Sequence, residues 1–197
     1  DDPESARRGE GIYVFILRST LGTIKNAWIW ESNRLIKLGL KPFSYKNQML
    51  QVYFRSFILT VLISLGGPIS LIVYFGSVLW AKVLLETVNY LEHYGLVRVP
   101  GTKIEPKHSW NSNHRISSYL LFNLTRHSAH HEKGTLPFWE LKSYEDAPML
   151  PFGYLTMAYF ILLFPWKYKK IMKRKLQAWD KQYASAEELN LIKGIQE

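Results

Sequence analysis

The chain has 197 residues, 47% of them hydrophobic and 15% aromatic, with seven tryptophans, which excludes a disordered or low-complexity polymer and suits one domain or a domain with an appendage. It contains no cysteine, which excludes disulfides, thiolate zinc sites and iron–sulfur clusters and leaves nitrogen and oxygen as metal donors. A net charge of +9 admits nucleic acid or a membrane surface as partner, and the placement of the charges separates the two.

The chain opens on Asp1 rather than Met and shows no signal-peptide pattern, so a start within a longer protein is expected. Residues 1–45 are expected to be an amphipathic cytoplasmic segment. Over 12–38 apolar residues recur at helical spacing (Ile12, Phe15, Ile16, then Ile24, Ala27, Trp28, Leu35), which suits helices at the membrane surface or against the rest of the protein.

Residues 56–81 form the strongest single signal: twenty-six positions without a formal charge, where about twenty apolar residues suffice to cross a bilayer. Gly66-Gly67-Pro68 lies at the centre, where proline and two glycines favour a turn over one kinked helix. Arg34, Lys37, Lys41, Lys46 and Arg55 precede the run, and Lys82, Arg98 and Lys103 follow it. Cations at both ends and none between place both ends in the cytoplasm. The expectation is a transmembrane hairpin over 46–94, with helices over 46–65 and 69–94. Its first arm is short, and Tyr45, Lys46, Tyr53 and Arg55 reach from it to the interface. A buried hairpin of a soluble protein is the alternative, and the length of the charge-free run argues against it.

The second arm ends in LLETVNYLEHYGL, where Glu86, Asn89, Tyr90 and His93 stand at i, i+3, i+4 and i+7. A polar stripe on a helix leaving lipid faces a protein interior or a cavity and often marks function. Glu86 reads equally as a paired interior carboxylate and Asn89 as an interhelical hydrogen bond; His93 is the best metal ligand of the stripe.

Residues 95–150 form a histidine-rich region. A loop over 97–106 leads to KHSWNSNH, with His108, Trp110, Asn111, Asn113 and His114. These groups orient metal ligands through hydrogen bonds, or they form a hydrogen-bonded loop packed by Trp110. Residues 112–132 are expected to be helical, with an apolar face of Ile116, Tyr119, Leu120, Asn123 and Leu124. On that helix His127 and His131 lie about 40° apart and His130 about 60° to the other side, so three imidazoles share one face and can converge on a metal, with iron, copper and zinc all suited. A solvated histidine cluster beside Arg126 and Lys133 is the alternative.

Residues 151–197 read as an interfacial segment and a basic tail. The apolar stretch 153–164 is too short to span, and WKYKKIMKRK carries six cations between Lys167 and Lys175, explained by anionic lipid headgroups rather than nucleic acid. A glycine-rich phosphate cradle, a nucleophile elbow and an HExxH motif are all lacking. The fold class expected is all-α: a helical membrane protein with a transmembrane hairpin and a cytoplasmic, histidine-rich helical part.

NYLEHYGL (89–96), HSWNSNH (108–114) and LFNLTRHSAHH (121–131), in this order and spacing, resemble the membrane-bound alkane 1-monooxygenases, non-haem diiron enzymes that hydroxylate the terminal methyl of alkanes. DDPESARRGEGIYVFILRS and EDAPMLPFGY resemble further segments of that family, so the likeness covers nearly the whole chain. It implies His93, His127, His130 and His131 as metal ligands; Glu86, Asn89, Glu92, His108, Asn111 and His114 are, from their chemistry and placement, candidates to hold those ligands in place. It implies two non-haem irons, O2, an alkane substrate, rubredoxin as electron donor, a lipid environment and no nucleic acid. The place implied is the bacterial inner membrane, multi-pass, with the site on the cytoplasmic side. Two further histidine boxes of that family are absent here, so a C-terminal fragment that is inactive alone is expected. Lys103, Lys107, Arg115, Arg126 and Lys133 offer a basic dock for an acidic electron donor. A related diiron enzyme, an arene methyl hydroxylase or fatty acyl desaturase, and a non-catalytic lipid-binding membrane module are the alternative functions.

Overall fold

The computed structural model describes residues 2–144 and 146–196. Among the described residues the regular elements are helices: α1 (Ile12–Lys37), α2 (Gln48–Ser64), α3 (Pro68–His93), α4 (Arg115–Leu120), α5 (His127–Glu132), α6 (Tyr154–Leu163), α7 (Pro165–Gln182) and α8 (Ala186–Gln196). Single 3-10 turns occur at Pro106–His108 and Phe138–Glu140, and Asn111 and Met149 form an isolated parallel bridge. The all-α class is thus the class observed. The chain divides into two compact units, Leu17–Leu85, and Asp1–Ile16 with Glu86–Glu197.

In the unit Leu17–Leu85, α2 starts where its free amides find acceptors. The Asn47 side chain accepts from the Leu50 amide at 3.1 Å, and Glu31 accepts from the Gln48 amide at 2.7 Å, a carboxylate at the positive end of a helix. Two hydrogen bonds from Arg34 to Glu31, both 2.7 Å, together with the Gln48 amide pull the Glu31 carboxyl down to about 2. The GGP motif is a turn and not a kink. α2 ends at Ser64, Gly67 takes a left-handed φ of 88°, and Pro68 opens α3 in the first turn, where its missing amide proton has no intrahelical acceptor to lose.

At 26 residues α3 measures about 39 Å and is long and apolar enough to cross a membrane. α2 is apolar but has 17 residues, about 25 Å, so the first arm of the expected hairpin falls short of the bilayer core. α2 buries none of its residues, and α3 buries only its last turns, Glu86 to Glu92. Helices that leave Phe57, Ile72 and Leu79 more than half exposed present an apolar surface that suits lipid and not water.

The other unit holds a core of Phe15, Tyr90, Tyr94, Trp110, Tyr154, Met157, Ile161, Tyr168, Met172 and Trp179. In the stretch read from sequence as an interfacial segment and a basic tail, α6, α7 and α8 contribute side chains to this core. Tyr154, Met157 and Ile161 of α6 are buried. α7 buries Tyr168, Met172, Leu176 and Trp179 at helical spacing while Lys167, Lys170, Lys173 and Arg174 stay exposed. The six-cation run is therefore the outer face of an amphipathic helix. The expected helix over 112–132 is broken in two: Phe122 and Asn123 have φ of 49° and 58°, and the Asn123 amide closes on Ser118 O at 2.8 Å. The expected apolar face is correspondingly open, with Ile116, Tyr119 and Leu120 exposed.

Candidate metal centre

Three segments build the site, and hydrogen bonds from Trp110 and Asn111 set their register. α3 stops at His93 because Gly95 turns the chain with φ 70° and donates its amide to Ala6 O at 2.9 Å. A Cβ there would lie 2.9 and 3.0 Å from the Leu176 methyls, so glycine is required both for conformation and for space. The Trp110 amide donates to Glu92 O at 2.8 Å and its indole to Tyr94 O at 2.9 Å, which ties the end of α3 to the loop. The next residue holds α5: Asn111 Oδ1 accepts from the Ser128 amide at 2.9 Å, and its Nδ2 donates to Ser128 Oγ at 2.7 Å. Asn111 thus acts as a helix cap supplied from a distant loop.

The result brings His93 and His127, 34 positions apart, to an Nε2···Nε2 distance of 3.2 Å. The ring centroids of His127 and His131 are 4.3 Å apart and those of His93 and His131 5.3 Å. One ligand atom from each of His93, His127 and His131 lies within 4.8 Å of the others. Burial pushes the His127 imidazole down to about 2, with the neighbouring His93, His131 and His130 adding to the effect. Burial and then His130 lower His131 as well. Both rings are neutral at physiological pH, the form that ligates metal. The buried Nε2 of His131 has no hydrogen-bond partner among the described residues, a cost that a ligated ion removes. A cavity of about 190 Å³ lined by Lys103, Glu105, Glu132 and Tyr144 reaches His131. Three nitrogen donors with open positions suit iron, zinc or copper.

The remaining candidates separate. His130 is exposed, its ring 5.9 Å from that of His127 and 6.2 Å from that of His131, so the structure does not bring it into the group. His108 has both ring nitrogens committed: Nδ1 accepts from the Glu105 amide at 2.9 Å and Nε2 faces Glu188 at 2.8 Å. His114 is exposed and packs beside Gly153. Glu86 is buried and Asn89 half-buried on α3. The Glu92 carboxylate lies 3.2 Å from His127 Nδ1. Of the expected basic dock, Lys107 is paired with Glu188 at 2.9 Å and Glu105 at 3.3 Å, and Arg126 donates to Leu141 O.

Sequence reasoning missed Glu188, which accepts from Lys107, faces His108 and receives the Ser185 amide at 2.8 Å. The available signal was Ser185-Ala-Glu-Glu188, a capping box. It also missed Arg8, which forms a paired contact with Asp180 at 2.6 and 2.9 Å and donates to Gly95 O at 2.8 Å.

Residues 1–161 match the family described as fatty acid desaturase. The chain is 38% identical to alkane 1-monooxygenase 1 of Alcanivorax borkumensis over 90% of its own length and 45% of that protein. It is 35% identical to alkane 1-monooxygenase 1 of Pseudomonas aeruginosa over 97% and 50%. To the xylene/toluene monooxygenase hydroxylase component of Pseudomonas putida it is 35% identical over 96% and 52%. The chain spans about half the length of these curated relatives. With its all-helical build and histidine cluster, it belongs to the fatty acid desaturase family, on the side of it that the alkane 1-monooxygenases occupy.

Proposed function

We propose that this chain supplies part of the metal centre of a diiron monooxygenase that hydroxylates the terminal methyl of medium- or long-chain alkanes. The observation that carries the reading is the convergence of three imidazoles at the end of an apolar helix long enough to cross a membrane. His93, His127 and His131 would hold one non-haem iron. His130, on the exposed edge, would ligate the second together with groups outside this sequence, so the chain alone is inactive. When bound, iron supplies the activation of O2 and the removal of hydrogen from the methyl group. The chain's own residues hold the donors neutral and oriented, and the apolar faces of α2 and α3 let a hydrocarbon approach through lipid. Electrons come from rubredoxin, whose acidic surface docks on Lys103, Arg115, Arg126 and Lys133. The protein is a multi-pass protein of the bacterial inner membrane with the site on the cytoplasmic side, as the cations flanking 56–81 support.

The test is the full-length protein in membranes, supplied with O2, reduced rubredoxin and octane. Bound iron and 1-octanol are expected, and His127→Ala and His131→Ala each abolish product and lower iron content. A protein that binds no iron sinks the reading. The likeness to the xylene/toluene enzyme favours a second reading, hydroxylation of an arene methyl; benzyl alcohol from toluene without 1-octanol from octane would select it. Neutralising the four docking cations should flatten the salt dependence of electron transfer, and an unchanged dependence removes the dock.

A further inference from the structure

The two nitrogens of His127 face different surroundings. Nε2 points into the cluster, 3.2 Å from His93 Nε2. Nδ1 points away from it, 3.2 Å from Glu92 Oε1, where both side chains are under one-tenth exposed. Neither His127 Nδ1 nor Glu92 Oε1 has a hydrogen-bond partner elsewhere among the described residues. Two orphaned buried polar atoms that face each other are costly apart and favourable together. The backbone holds the carboxylate there: Glu92 O receives the Trp110 amide at 2.8 Å, and its neighbour His93 enters the cluster from the same turn of α3.

We propose that Glu92 is a positioning residue for the metal centre, its carboxylate accepting the Nδ1 proton of His127 so that the Nε2 lone pair is the one presented to the ion. The inference rests on the reading of the cluster as a metal centre and adds to it the residue that fixes tautomer and ring angle. Among the three converging histidines, His127 is the one with a buried carboxylate beside its outer nitrogen, while His131 Nε2 is unpaired and buried and His93 Nε2 faces His127. A carboxylate on the outer nitrogen also strengthens the imidazole as a donor.

The test uses the full-length protein in detergent with zinc as a diamagnetic probe, read by zinc titration and by nitrogen NMR of 15N-labelled histidine. In the zinc-loaded wild type, His127 is expected to be Nε2-ligated and Nδ1-protonated, with a strongly downfield proton. Glu92→Ala lowers zinc affinity by about 10- to 100-fold. Glu92→Gln keeps shape and an acceptor oxygen, so it loses less affinity while the His127 proton moves upfield. Zinc affinity unchanged in Glu92→Ala, or an unmoved His127 proton in Glu92→Gln, overturns the proposal. Should Glu92→Ala fail to fold, Glu92→Gln decides through the proton shift. A full-length wild type that shows this pattern with zinc but, purified from membranes, carries no iron and oxidises no alkane keeps the positioning role and overturns the functional reading. A wild type that binds no metal overturns both.

Discussion

Asn111 ties α5 to the loop that Trp110 fastens to the end of α3, and its removal separates positioning from ligation. Asn111→Ala deletes the acceptor for the Ser128 amide and the donor to its hydroxyl, at a cost of about 1–2 kcal/mol. A lower melting temperature in detergent and weaker metal uptake are expected together. Asn111→Asp keeps the acceptor and should recover most of the stability; equal loss in both variants would rule out the cap. Glu188 makes a pH-dependent contribution. Burial favours its neutral form, but the Ser185 amide, His108 and Lys107 outweigh that and lower its pKa. A depressed carboxylate stabilises the fold above its ordinary value near 4.5, and the contribution is lost as pH falls through the folded value. Acid unfolding of wild type and Glu188→Gln should therefore converge at low pH and diverge above it; parallel curves would show that the carboxylate charge is not involved. At this scale the sequence was legible in part. His127 and His131 share a helix face by spacing alone, and His93 lies on a polar stripe. The commitment of His108 was not legible, because its partner is 80 positions away and the two meet only through packing.

Among the elements, the ends of α3 carry the strongest constraint. Gly95 and Gly67 both adopt a left-handed conformation, but they differ in surroundings: Leu176 crowds the first, and nothing lies within 4 Å of the second. Gly67→Ala should cost about 1 kcal/mol from conformation alone. Gly95→Ala adds a steric clash and should cost about 2–4 kcal/mol, read as the difference in melting temperature between the two variants. Equal effects would mean that Leu176 moves aside freely. The turn at Gly66-Gly67-Pro68 and the start of α3 were legible because proline and glycine act on their own backbone. The break between α4 and α5 was not: Phe122 and Asn123 carry no strong turn signal, and the hydroxyl contact between Ser118 and Thr125 at 3.0 Å closes the turn from both sides.

For the whole molecule, the exposed apolar surface of α2 and α3 sets the expected behaviour. In lipid nanodiscs the amide protons of α3 between 70 and 85 should exchange slowly, and those of the exposed face of α4 should exchange fast. Fast exchange along α3 in lipid would contradict a membrane-crossing helix. Charge, hydropathy and cysteine count were sufficient for the class of the protein, the apolar helix and the nitrogen-and-oxygen donor set, because each depends on composition or on neighbours within one or two turns. Tertiary packing selected His93, His127 and His131 as the converging group, left His130 at the edge, turned His108 towards Glu188 and set Glu92 behind His127. Those outcomes depend on contacts between residues tens of positions apart, to which the periodicity of a single helix is blind. The same limit explains the C-terminal quarter: WKYKKIMKRK reads as a basic tail from its charges, yet Tyr168, Met172, Leu176 and Trp179 place α7 in the core, since only folding reveals which face of an amphipathic helix is covered.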